Sequence, residues 1–226
     1  MEVNKFWSRL FGICGIIGGL TLFSGDMLFY YDPVNGNLYE NMGNVSDSRI
    51  ISSAITALIA AWLYVLGCIH VYQAFKSTKP IVKNLVLICF VAISIAYGVV
   101  HAAFVAIATS SKLAIENNLN LNQSVSLAVE ANNILRLIVY PIFGLLSFLF
   151  ITQVWKKRTL YPRWIILFYP LILFLLEDFI CKNLSGSISI IVCGGYLNLI
   201  LIIFFTASSI SLWNKIINQL CVLLTK

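Results

Sequence analysis

LVLICFVAISIAYGVVHAAFVAIATS, residues 85–110, runs for 26 positions without an aspartate, glutamate, lysine or arginine. As a helix it would reach about 39 Å at about 1.5 Å per residue, more than the roughly 30 Å of hydrocarbon in a bilayer. A spanning segment meets no water and must close its own backbone hydrogen bonds, which a helix does internally. The period-two alternation of a barrel strand is missing. This stretch is a transmembrane helix.

Five further apolar blocks flank it, at residues 6–30, 50–75, 127–152, 164–179 and 188–213. The expected fold is therefore all-α: a polytopic membrane bundle of about six transmembrane helices, forming one domain over residues 1–226. Composition agrees, with 60% hydrophobic and only 11% charged residues, where a soluble domain is about half apolar and about a quarter charged. The fifth block is the shortest, and Pro170 inside it predicts a kink. Residues 31–49, rich in Asn, Gly and acids, predict a solvated loop, and residues 112–124 form a second polar linker. The tail NKIINQLCVLLTK after Trp213 predicts a short amphipathic helix on the membrane surface. No small-x-small cleavage site lies near Ser24, so the first block is expected to be retained as a helix.

The net charge of +6 sits in short clusters between apolar blocks, which is a topology signal and gives no reason to expect a nucleic-acid partner. With the amino terminus cytosolic, eleven of the fifteen basic residues fall inside and three (Arg49, Lys112, Lys182) outside, leaving Arg136 within the membrane. The positive-inside rule then places both termini in the cytosol of a cell-membrane protein. Trp7, Trp155, Trp164 and Trp213 all fall at the predicted inner boundary, where indoles prefer to lie. The three sequons, at Asn44, Asn122 and Asn183, are chance matches in an Asn-rich chain.

The six cysteines show no metal-type spacing. Cys14, Cys68, Cys89 and Cys193 lie inside apolar blocks, where a thiol acts as a small apolar group. Cys181 alone is placed at the outer surface, so no disulfide is expected.

Polar side chains inside a bilayer are costly and each needs a reason. Counted from the predicted outer boundary at about 1.5 Å per residue, His101 and Arg136 lie about 14 Å deep and Asn198 about 15 Å. Three helices thus bring one polar residue each to a common level, with Asp26, Glu130 and Glu177 nearer the outer face. Spacings of three and four group Asn133, Arg136, Tyr140, Gly144 and Ser147 into one stripe bordered by Glu130. Ser94, Tyr97, Gly98 and His101 form another stripe. Gly12, Gly15, Gly19 and Asp26 form a third, whose glycines let helices approach closely. The stripes are expected to meet in a polar cavity opening outward, with Asp26, His101, Glu130, Asn133, Arg136, Tyr140, Glu177 and Asn198 as its candidate ligand-binding residues.

Each has a plainer reading. Asp26 and Glu177 could be solvated or cap helices, and His101 could simply bond a neighbouring helix. His70 is placed at the solvated inner interface. Arg136 cannot shed its charge, so it needs a ligand, water, or a salt bridge to Glu130, Asp26 or Glu177. Two histidines near opposite faces do not make a zinc site, and without a buried lysine there is no Schiff base for retinal. No phosphate loop, nucleophile elbow or zincin motif is present, and no cofactor is expected. Two functions remain open. In one, the cavity binds a lipid or an amphipathic or anionic small molecule, with His101 and Asp26 or Glu177 available for acid–base work. Alternatively, the chain is a non-catalytic subunit, sensor or small transporter whose polar network is structural.

The segments Ser24-Gly-Asp-Met-Leu-Phe-Tyr-Tyr31, Tyr161-Pro-Arg-Trp164 and Gly194-Gly-Tyr-Leu-Asn-Leu199 resemble those of an uncharacterised family of small multi-pass bacterial membrane proteins, over most of the chain. That resemblance implies membership and no activity. A looser likeness to sterol-isomerase-type membrane enzymes carries no alignable motif and transfers no catalytic residue.

Overall fold

Among the described residues the chain forms five long helices and a set of short ones. The computed structural model describes residues 5–32 and 37–224, with side chains described from 6 to 213 outside the 33–36 gap. The elements are α1 (Lys5–Tyr30), α2 (Leu38–Asn44), α3 (Asp47–Ala74), α4 (Pro80–Glu116), α5 (Leu121–Trp155), a 3-10 turn (Arg163–Phe168), α6 (Pro170–Phe174), α7 (Glu177–Lys182), α8 (Gly186–Gly194) and α9 (Tyr196–Leu224). No strand occurs among the described residues. Five of these helices (α1, α3, α4, α5 and α9) are long and apolar enough to cross a membrane. Their outward faces carry side chains that water would not tolerate: Ile55, Trp62, Ile88 and Phe148 are all more than half exposed. Lipid-facing helices look like this.

The block expected at 164–179 is not one helix. Pro170 pushes the preceding Tyr169 into extended backbone (φ −72°, ψ 138°), so the 3-10 turn ends and α6 starts afresh with the proline in its first turn. A further break separates α6 from α7, and Gly186 takes a left-handed φ of +62° before α8. The block expected at 188–213 is likewise divided at Gly195, between α8 and α9. The loop expected at 31–49 holds α2, capped by the Asn37 side chain on the amides of Tyr39 and Glu40, and buries Met42 against α4. Beyond Trp213 the backbone simply continues α9 to Leu224. The amphipathic face expected there lies outside the described side chains.

α9, α1, α3, α4 and α5 pack in that order as an open arc. The stretch from Arg163 to Gly195 closes it, running from one end of the bundle to the other. Its beginning is held at the Trp155 end, where Arg163 Nε donates to the Trp155 carbonyl at 2.9 Å. Its finish is held at the Tyr30 end, where the Tyr30 hydroxyl donates to the Gly194 carbonyl. Toward the Trp155 end the arc is filled by aromatic rings. Phe150 stacks on Tyr169 at 4.4 Å and meets Phe75, Tyr161 and Phe204 within 5.7 Å. Toward the Tyr30 end it stays hollow.

Two features at that end depart from expectation or extend it. Cys181 and Cys193 form a disulfide joining α7 to α8. The break at Gly186 folds α8 back beside α7, so Cys193 does not lie in a continuous apolar helix. Arg49, at the start of α3, donates from Nε to the Leu28 carbonyl (3.0 Å) and from Nη2 to those of Met27 (3.1 Å) and Tyr31 (3.3 Å). A cation on the free carbonyls of a helix end stabilises it. Arg49→Ala is expected to cost about 1–2 kcal/mol, read as a lower melting temperature in detergent micelles.

Candidate functional site

The hollow of the arc is a cavity of about 390 Å³ reaching from Leu38 of α2 down to Ile93, Phe143 and Leu201. That size is ordinary for a small-molecule site. Most of its wall is apolar, and its polar groups converge from α1, α4, α5, α7 and α9.

Gly25 makes the first convergence possible. A Cβ there would stand 2.1 Å from Thr56 Oγ1 and 3.1 Å from His101 Nε2, so only glycine lets α3 and α4 close on α1 at this level. The next residue, Asp26, is 7% exposed and takes contacts from α4 and α9, with the Tyr30 phenol of its own helix also close by. Asn198 Nδ2 donates to its Oδ2 at 2.6 Å, and His101 Nδ1 lies 3.0 Å from its Oδ1. Asn198 in turn accepts from the Tyr64 hydroxyl at 3.2 Å.

The hydrogen positions in this network follow from counting donors. Ser53 Oγ has one hydrogen and gives it to the Gly25 carbonyl at 2.7 Å. It must therefore accept from His101 Nε2, 2.9 Å away, and Nε2 carries a hydrogen. The contact between Nδ1 and the carboxylate needs one more hydrogen, on either the imidazole or the acid. A pair bridged by that hydrogen carries no net charge, whichever side holds it.

Arg136 on α5 reaches the same cavity with its guanidinium 5.2 Å from the centre of the Phe104 ring. No carboxylate among the described residues lies within ion-pair distance of it, and its buried Nε has no hydrogen-bond partner. Glu177, at the start of α7, lines the cavity without bonding to it. Among the described residues the site therefore presents a cation without an ion-pair partner over an apolar floor, next to the hydrogen-bonded Asp26–His101 pair.

Of the eight candidate residues, the structure places Asp26, His101, Arg136, Tyr140, Glu177 and Asn198 around this cavity. Glu130 and Asn133 are exposed and stand away from it. One position along a helix turns a side chain by about 100°, and here it is Asn132 that turns inward, donating to the Val100 carbonyl at 2.9 Å. His70, expected at a solvated boundary, is 1% exposed, with Nδ1 2.8 Å from the Ser8 carbonyl. Sequence reasoning missed Ser53, Tyr64 and Cys193 as contributors. Ser53 and Tyr64 lie on α3, whose stripes it did not trace, and Cys193 reaches the wall only through the α7–α8 hairpin. Among the described residues no cluster of three metal-ligating side chains occurs.

Against known proteins, residues 1–215 match a family described as a family of unknown function (DUF6796). No curated protein and no solved structure matches the chain.

Proposed function

The chain belongs to that family of unknown function, and from its own cavity we propose that it is a six-crossing membrane protein that binds a lipid or small amphipathic anion. The observation that carries this reading is the Arg136 guanidinium, which among the described residues has no carboxylate within ion-pair distance, Glu177 acting on it only from farther off, and which faces an apolar cavity. A charge that cannot be shed and is partly removed from water is strongly destabilising unless something neutralises it. An anionic head on Arg136, with an apolar body against Ile93, Phe143 and Leu201, would satisfy both halves of the cavity.

In this reading the sixth crossing is the broken stretch from Arg163 to Gly195, because its two ends are bonded at opposite ends of the bundle. Both termini face the cytosol. The basic residues favour that orientation. So does the Cys181–Cys193 disulfide at the opposite end, since such bonds persist in oxidising compartments. The cavity then opens on the outer side, near α2 and the α7–α8 hairpin.

Titration of the purified protein, in uncharged maltoside micelles, with decanesulfonate and with decanol tests the assignment. The sulfonate is expected to bind and decanol to bind far more weakly. Arg136→Gln should weaken sulfonate binding by about tenfold to a hundredfold, the worth of one charge-assisted contact. Equal binding of both probes, or indifference to Arg136→Gln, would remove the ligand and favour a purely structural polar network.

A further inference from the structure

Every partner of Asp26 donates toward it, and one hydrogen in the network has two possible owners. That hydrogen lies between Asp26 Oδ1 and His101 Nδ1, 3.0 Å apart. The other hydrogens are fixed, because Gly25 O, Ser53 Oγ and Asn198 Oδ1 each have an assigned donor. The pair is not sealed: both residues line the cavity, and their side chains keep 5% (His101) and 10% (Asp26) of their surface open. A proton can leave by that route.

We propose that the Asp26–His101 pair is a proton-exchange site that couples occupancy of the cavity to protonation. An anion beside Arg136 holds the shared proton in place, and losing that proton weakens the anion's hold. The coupling rests on the anion-binding reading above.

The sign follows from charge. With its proton the pair is neutral. Without it, His101 is neutral, Asp26 is a carboxylate, and the cavity wall gains one negative charge facing the bound anion. Coulomb repulsion at low dielectric then disfavours the ligand. By linkage, the proton and the anion each favour the other's binding. Affinity is therefore full while the pair keeps its proton, and falls as pH rises, by at most about tenfold per pH unit for one proton. The other groups facing the pair are few. Tyr30 on α1, Tyr64 on α3, Tyr97 on α4 and Tyr140 on α5 are phenols, uncharged through the neutral range. Arg136 on α5 keeps its charge throughout. Glu177 on α7 is the remaining titratable side chain, and α9 offers Asn198 together with the Tyr196 phenol.

Asp26→Asn makes the test clean. Its carbonyl can accept from Asn198 while its amide donates to His101 Nδ1, so the bonds survive and the mobile proton does not. The chain has two histidines, so nitrogen-15 NMR of histidine-labelled protein in phosphatidylcholine nanodiscs gives two ring signatures. His101 is identified by its response to Asp26→Asn. Expected is an Nε2 protonated at every pH and an Nδ1 that turns from proton-sharing to bare in one step as pH rises. In Asp26→Asn, Nδ1 is bare throughout. A bare Nε2, or an Nδ1 blind to both pH and the substitution, overturns the proposal. In parallel, decanesulfonate, whose head does not titrate, should lose affinity as pH passes that step. Asp26→Asn flattens the profile. Binding that needs Arg136 but ignores pH overturns the coupling and leaves the anion site standing. The absence of Arg136-dependent binding at every pH sinks both together.

Discussion

Asp26→Ala is expected to lower stability by about 3 kcal/mol, and Asp26→Asn by less than about 1 kcal/mol. Alanine removes the acceptor of both Asn198 Nδ2 and His101 Nδ1. Two donors are left at residues that are each 4% exposed, each costing about 1–3 kcal/mol when unsatisfied. His101 can recover part of this by shedding its Nδ1 proton, which keeps the total toward the lower end. Asparagine reproduces the geometry with a neutral group, so its cost is small although the chemistry is gone. Thermal melting in maltoside micelles separates the two. If alanine and asparagine destabilise equally, Asp26 acts through its charge on some other group and the hydrogen-bond assignment is wrong.

Gly67→Val should be at least as damaging, and for a different reason. α1 and α3 touch backbone to backbone here: a Cβ on Gly67 would stand 2.8 Å from Gly15 Cα and 2.9 Å from Phe205 Cε1. Phe205 is 1% exposed and is boxed in by Tyr64 and Phe204, so its ring cannot yield. Overpacking of a filled core costs about 1–3 kcal/mol, and separating two helices that bury each other's backbone adds to it. We expect about 3 kcal/mol or more, seen as failure to fold or a much lower melting temperature. Gly144 is the internal comparison. Nothing lies within 4 Å of a Cβ there, so Gly144→Ala gains helix propensity, about 0.5–1 kcal/mol, at no steric cost. Equal responses at the two positions would mean that α1 and α3 do not meet as described.

Much of the site was legible because depth in a bilayer is counted along one dimension. His101, Arg136 and Asn198 were placed at one level by residue counting, and all three line the cavity. Facing was less legible. A spacing rule puts residues on a common stripe but leaves the direction of the stripe to the neighbouring helices, and so Asn133 was taken where Asn132 turns inward. The fifth block is legible in part: Pro170 predicts the bend at which Tyr169 turns extended, but apolar content alone does not reveal the further breaks after Phe174 and Lys182. The disulfide was missed for a related reason: two cysteines 12 apart become neighbours only when Gly186 turns the chain between them.

By itself the sequence determined that the chain is helical, that several of its helices are apolar over a bilayer's width, and that a few polar side chains must be hidden at a shared height. Those are properties of each segment taken alone, governed by backbone hydrogen bonding and the cost of charge in hydrocarbon. The tertiary structure alone decided who partners whom: that Asp26 takes His101 and Asn198, that no described carboxylate comes within ion-pair distance of Arg136, and that the hollow lies between α5 and α9. Rotation about a helix axis changes nothing along the chain and is fixed only when close contacts such as Gly15 on Gly67 lock one helix against the next.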